Sequence, residues 1–309
     1  MPSWCLIESD PAVFTELIQL FGVRDVAVEE IVGLEPVLLR GHANVYGLIL
    51  LFKWNKAQTA SNTHGVVVLD APIYFAQQTV NNACATLAIV NTLFNHSETI
   101  DLGENLTNLL SFTQDMTPNL RGTLVGENET LRSAHNSFAP VELFSLDSEV
   151  PDAGDVYHFV TFVYKNGAIW ELDGLQDGPI LAGDASDENY KDKLMDVVQG
   201  RIREMSAADE SEVGKGISFS LMAVVDDRLR FLEKEIEEAR KNEVSTAHLE
   251  EQLAALRAER EKGRVENMRR RHNYAPMIVE LLKALAEKGK LKGILDDVLS
   301  KRNESARRS

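Results

Sequence analysis

The sequence predicts an α/β (α+β) body over residues 1–226 and an all-α extension over residues 227–309. Two observations predict the body. β-Branched and aromatic runs stand on either side of an Asn-Gly pair, and helical apolar patterns are interspersed with further such runs. A third predicts the extension: after Asp227 the chain is charge-rich, nearly free of aromatics and helix-prone. No period of 20–50 residues repeats, which excludes a solenoid.

"DPAVFTELIQLFG" predicts a helix with Asp10 as N-cap, Pro11 at its first position and Gly22 closing it. "VYGLILLFKW" and "GVVVLD" predict strands, and helical patterns follow over 82–95, 104–113 and 128–137. Phe144 to Asp155, "FSLDSEVPDAGD", carries Ser, Asp, Pro and Gly without periodicity and reads as a loop. Next, "VYHFVTFVY" and "AIWELDGL" flank "KNG", the strongest short hairpin signal. "SFSLMAVVDD" predicts a further strand. In the extension, Leu229, Leu232 and Ile236, then Leu249, Leu253 and Leu256, make a narrow stripe, either a solvated face or a seam. Pro276 opens a last strong helix with a broad apolar face of Met277, Ile278, Leu281, Leu282 and Leu285. A helix so short and apolar must dock somewhere. "LKGILDDVL" adds an amphipathic turn or two before a polar, basic end.

Composition narrows the function classes. No apolar run reaches the length of a membrane span, and the opening lacks the pattern of a signal peptide. Two cysteines, Cys5 and Cys84, are too few for a disulfide framework or a zinc site, so a reducing, intracellular compartment is expected, with no metal. The charge is uneven. Of 32 Lys+Arg and 48 Asp+Glu, 20 and 16 lie in residues 227–309, leaving 12 and 32 in residues 1–226, a balance of −20. An acidic body disfavours nucleic acid and favours a basic partner, although solubility alone is a competing reason for it.

The chemistry centres on "YFAQQTVNNACATLAIVNTLF", Tyr74 to Phe94. A thiol attacks only as the thiolate, a form favoured by a helix N-terminus or a neighbouring His. Asn81 or Asn82 as N-cap would place Cys84 in the first helical turn, where free N–H groups can also hold an oxyanion. Gln78 offers a side-chain amide just upstream as a second donor. His158 is the best-placed base. A two-residue Asn166-Gly167 turn pairs Lys165 with Ala168 and sets Asp173 opposite Val160, on the face His158 shares. The two would then be diagonal neighbours about 7–8 Å apart at Cα, within side-chain reach. A three-residue turn would put them on opposite faces unless a bulge restored the register. Buried packing for Cys84, and a core histidine satisfied by a nearby acid, are the competing readings.

Through "FAQQTVNNACAT", "VYHFVTFVYKNGAIWELDGLQDGPI" and "WCLIESDPAVFTELI", the sequence resembles the ubiquitin C-terminal hydrolase (UCH) family of cysteine proteases. Residues 4 to about 226 carry that resemblance, and "ENMRRRHNYAPMIVELLKALAEKGKL" resembles the C-terminal extension of its long, proteasome-associated member. The resemblance implies a papain-like UCH fold, a knotted chain with an antiparallel sheet surrounded by helices. It also implies a loop over the active site at Phe144–Asp155. It assigns Cys84 as nucleophile, Gln78 as oxyanion donor, His158 as general base and Asp173 as the residue that orients it. The expected organisation is a catalytic domain over 1–226 and a partner-docking helical extension over 227–309. The implied activity is hydrolysis of the bond after the C-terminal glycine of ubiquitin, without cofactor. The implied partners are ubiquitin, a proteasomal ubiquitin receptor bound by the tail, and a chromatin-remodelling subunit competing for it, in cytoplasm and nucleus. A ubiquitin-binding scaffold acting mainly through its tail is the alternative function. "ENMRRRHN" is read as bridging helices rather than binding nucleic acid, and no membrane contact is expected.

Overall fold

The computed structural model describes residues 3–53, 65–139, 157–208 and 219–295. Seven strands form one sheet: β1 (Val26–Glu30), β2 (Val45–Lys53), β3 (Val66–Val67), β4 (Tyr157–Lys165), β5 (Ala168–Leu172), β6 (Ile180–Asp184) and β7 (Phe219–Asp226). Their spatial order is β1-β7-β2-β4-β5-β6-β3, and every neighbouring pair is antiparallel. The helices are α1 (Pro11–Leu20), α2 (Val37–Arg40), α3 (Cys84–Phe94), α4 (Gly103–Thr113), α5 (Pro118–Glu127) and α6 (Glu129–Asn136). After them come α7 (Tyr190–Ala208), α8 (Arg228–Lys241), α9 (Ala247–Arg271) and α10 (Ala275–Glu287).

Local chemistry sets the elements that frame the site. Asp10 caps α1 by accepting from Ala12 N at 2.8 Å, and Gly22 leaves it at φ +109°. Asn166 and Gly167 take φ of +53° and +78°, the doubly left-handed turn that matches strand twist. The register therefore runs Lys165↔Ala168 to Thr161↔Leu172, as a two-residue turn requires. "GVVVLD" contributes only the two-residue β3. Sequence periodicity did not reveal α5, whose "PNLRGTLVGE" holds two glycines and few apolar residues, nor the largely polar α7.

The sheet is covered on both faces. On one, α1 and α3 pack Phe14, Leu17, Ile89 and Leu93 against Ile49, Phe159 and Met222. On the other, Leu194, Val198 and Ile202 of α7 meet Leu48, Leu50, Val160 and Phe162. All eleven residues of α3 are buried. The two leucine stripes of the extension meet each other, with Leu232, Ile236 and Leu253 buried in one cluster, so the seam lies within the chain. Asp227 caps α8 through Leu229 N, and Arg260 of α9 grips the same carboxylate with two bonds of 2.7 and 2.6 Å.

Described residues up to Asn267 form one compact unit, so α8 and nearly all of α9 belong with the sheet. Those from Met268 belong to a second unit, in which α10 has no buried residue. The crossing loop expected at Phe144–Asp155 lies outside the described residues. Among those residues no helix is long and apolar enough to cross a membrane.

Candidate active site

Cys84 is the first residue of α3, and its side chain meets a pair held by the β4–β5 hairpin. His158 Nε2 lies 2.7 Å from Asp173 Oδ1, with both side chains buried. Cys84 is near enough to the imidazole to help raise its pKa. His158 Nε2 is committed to Asp173, which leaves Nδ1 as the other ring nitrogen. Asp173 is itself fixed, accepting from Leu175 N at 2.9 Å and from Gln176 Nε2 at 3.4 Å. The hydrogen-bonded imidazole–carboxylate pair stands beside the thiol, the arrangement of a nucleophile with an oriented base.

Gln78 arrives on the strap that precedes α3. Its backbone N donates to Gly174 O at 2.8 Å, which ties the strap to the residue after Asp173. Its side-chain Oε1 is buried with no hydrogen-bond partner. Oε1 is an acceptor, so its lack of a partner says nothing of the Nε2 donor that an oxyanion would need.

The helix entry differs from the capping expected at Asn81 or Asn82. Ala83 is the N-cap, and no side chain caps α3. Asn82 instead takes φ +63°, and its amide donates to Trp4 O at 3.0 Å. Without a capping side chain, the first-turn N–H groups remain available to an anion.

Comparison with known proteins decides what this site belongs to. Residues 4–203 match the family described as "Ubiquitin carboxyl-terminal hydrolase, family 1", and residues 246–291 match a second family described as "Ubiquitin carboxyl-terminal hydrolases". The chain belongs to the ubiquitin C-terminal hydrolase family. It is similar to the Caenorhabditis elegans ubiquitin carboxyl-terminal hydrolase ubh-4, 38% identical over 99% of this chain and 94% of that protein. The Dictyostelium discoideum isozyme L5 is 34% identical over 94% of both chains. Among solved structures, Trichinella spiralis UCH37 bound to ubiquitin vinyl methyl ester superposes with a TM-score of 0.69 at 32% identity, covering 84% of this chain and 99% of that one. The protein is therefore a cysteine-type ubiquitin C-terminal hydrolase with the UCH fold and a C-terminal helical segment.

Within this hydrolase, burial alone would push His158 down. Hydrogen bonds to Asp173 and Cys84, with the charges of both, outweigh it and raise the imidazole to about 9. Burial would push Asp173 up, but His158, the Leu175 N–H and Gln176 together hold it below its ordinary value.

The supporting shell was the part that sequence reading missed. Asn95 grips both the N–H and the C=O of Tyr74 at 2.8 Å, and Asn91 does the same to Ala76 at 2.8 and 3.2 Å. These clamps hold the strap that carries Gln78 extended alongside α3. Behind it, a Cβ on Gly122 would overlap Gln77 O, so only glycine lets α5 come this close. Asn91 near the end of α3 and Asn95 at its C-cap, four residues apart, were the available signal. Beneath the imidazole, the Phe52 ring stands edge-on to His158 with centroids 6.0 Å apart, and Arg201, paired with buried Glu171, lies 5.9 Å from that ring. Among the described residues, no group of three or more His, Cys, Asp or Glu side chains could hold a metal.

Proposed function

We propose that this hydrolase cleaves after the C-terminal glycine of ubiquitin with Cys84 as nucleophile, His158 as base, Asp173 as its orienting partner and Gln78 as oxyanion donor. The observation that carries the assignment is the buried His158–Asp173 pair beside Cys84 at the uncapped start of α3. His158 takes the thiol proton through Nδ1 while Asp173 stabilises the imidazolium. Sulfur attacks the glycine carbonyl, and the Cys84 N–H with Gln78 Nε2 receives the oxyanion. His158 then returns its proton to the leaving amine. Water, deprotonated by the same imidazole, releases the acyl group. Two adjacent glycines before the scissile bond fit a narrow approach to the sulfur.

A folded substrate also needs a contact face of roughly 800 Å² per partner. Exposed apolar residues collect at the His158 end of the sheet. Phe219 pairs with Phe52, which pairs with His158, and Tyr157 precedes it. Val32, 91% exposed, follows Ile31, whose N–H bonds Leu221 O. We assign the body of ubiquitin to this face, and the acidic balance of residues 1–226 suits a basic substrate tail.

The exposed apolar face of α10 supports a docking role for the extension, with a helical domain of a proteasomal ubiquitin receptor as its occupant. Processing of ubiquitin chains at the proteasome is the resulting physiological reading. Hydrolysis of a ubiquitin–fluorophore adduct by the full chain tests the catalytic assignment, with Cys84→Ala as the inactive control. Pull-down with the receptor domain tests the docking assignment separately.

A further inference from the structure

The N-terminal arm and the turn before Cys84 are stitched together by side chains. Three consecutive carbonyls of the arm each accept from one: Ser3 O from Asn136 Nδ2 at 2.9 Å, Trp4 O from Asn82 Nδ2 at 3.0 Å, and Cys5 O from His135 Nε2 at 2.7 Å. Asn136 Oδ1 in turn accepts from Cys5 N at 3.0 Å. Trp4 anchors the arm, donating its indole N–H to Gly126 O at 3.0 Å and packing edge-on to His135. Because a carbonyl can only accept, His135 carries its hydrogen on Nε2. Its Nδ1 therefore accepts from Thr86 Oγ1, 2.8 Å away. Asn82, two residues before Cys84, bonds the arm directly, and His135 bridges the arm to Thr86, two residues after it.

Asn82 is the sensitive member. Its φ of +63° is left-handed, a region that side chains other than Asn, Asp and His seldom enter. Ala83 follows it directly as N-cap of α3. The chain therefore enters α3 through this left-handed turn, two residues before the thiol. The Asn82 side chain is spent outside the site, on the arm. Unfavourable backbone of this kind persists where the surroundings enforce it, and it gathers at reactive centres.

We propose that the arm Ser3–Cys5 positions the nucleophile through Asn82. The Asn82–Trp4 bond fixes the left-handed turn that aims Cys84 at His158 and opens its N–H to the oxyanion. Asn82 is a positioning residue, acting through Cys84, and its role rests on the assignment of Cys84 as nucleophile.

Two variants separate the turn from the bond. Asn82→Gly keeps the left-handed backbone accessible but removes the amide, whereas Asn82→Ala removes both. The full chain in a Cys5→Ser background is first treated with ubiquitin vinyl methyl ester. No adduct on Cys84 would overturn the nucleophile assignment itself. Given that adduct, three quantities are compared: kcat and KM on a ubiquitin–fluorophore substrate, the rate of Cys84 alkylation by iodoacetamide, and Tm. The expected result is that kcat and alkylation fall together, about tenfold in Asn82→Gly and further in Asn82→Ala, with KM within about twofold. Wild-type kcat and alkylation in Asn82→Gly would overturn the proposal, because the bond to Trp4 would be idle. A lowered Tm with kcat unchanged in both variants would overturn it too, making Asn82 merely structural. If Asn82→Ala fails to fold, the glycine variant decides alone.

Discussion

Two apolar helices of the chain, α3 and α10, meet opposite fates. Every residue of α3 is buried, and none of α10 is, with Met277 59% and Leu281 56% exposed. The first is enclosed by its own chain and fixed by polar clamps, Asn91 and Asn95 on one side and Thr92 bonded to Thr161 of β4 at 2.8 Å on the other. The second offers an apolar face that nothing among the described residues of its own unit covers. Chemistry needs the first arrangement, because sulfur, imidazole and amide must be held to within a fraction of an ångström. The proposed docking role would use the second, because contiguous exposed apolar faces mark interaction sites.

If the enclosed region carries the chemistry, the largest losses come from it. His158→Ala is expected to lower kcat/KM by several orders of magnitude, since the base and the partner of the thiolate disappear together. Asp173→Asn is expected to cost less, because the imidazole stays but is no longer oriented by a charge. It should also move the pH profile. The His158 imidazole is raised to about 9, with Asp173 its chief support, so activity should fall as pH rises through about 9. In Asp173→Asn that alkaline limb should shift toward neutrality, and a profile that does not move would show that another group holds the imidazole.

Stability is linked to the same pair. The raised His158 contributes fully below its unfolded value of about 6.5, and its contribution is lost as pH rises through the folded value. The depressed Asp173 contributes above its unfolded value, and its contribution is lost as pH falls through the lower folded one. Urea midpoints across pH should therefore decline at both ends in the wild type and flatten in the double variant lacking both groups.

Gln78→Ala comes next, with an expected loss of roughly 10²–10³ in kcat, the usual effect of removing one oxyanion donor. KM should scarcely change. A loss carried by KM instead would make Gln78 a ground-state contact.

The smallest effect on hydrolysis belongs to α10. Leu281→Asp with Leu285→Asp should leave kcat and KM on a small ubiquitin adduct within about twofold while abolishing capture by the receptor domain. Circular dichroism should show the helix content unchanged. Capture that survives in the folded double variant would remove this face from consideration as the docking surface.

How legible the molecule was in its sequence also divides along this line. The hairpin could be read because Asn166-Gly167 fixes its own turn, and the register then carries His158 to Asp173. The stripes of α8 and α9 were visible as leucines at helical spacing, but whether they faced solvent or a seam was left open until the cluster of Leu232, Ile236 and Leu253 decided it. By contrast, the sequence offers Asn81 or Asn82 as a helix cap, because residue type alone does not distinguish a capping asparagine from a left-handed one. The Asn91 and Asn95 clamps escaped for a related reason, since their partners, Ala76 and Tyr74, are backbone atoms with no signature in composition. A site built from side chains on regular elements shows in sequence. The shell that holds it, built from side chains bonding irregular backbone, does not.

The most direct measurement is the site of covalent capture. The full chain is reacted with ubiquitin vinyl methyl ester and the adduct is located by peptide mapping. The expected result is one adduct on Cys84, formed also by the Leu281→Asp/Leu285→Asp variant and absent from Cys84→Ala, with Cys5 unmodified throughout. An adduct on Cys5, or full ubiquitin hydrolysis by Cys84→Ala, would contradict the assignment of the chemistry to the buried helix.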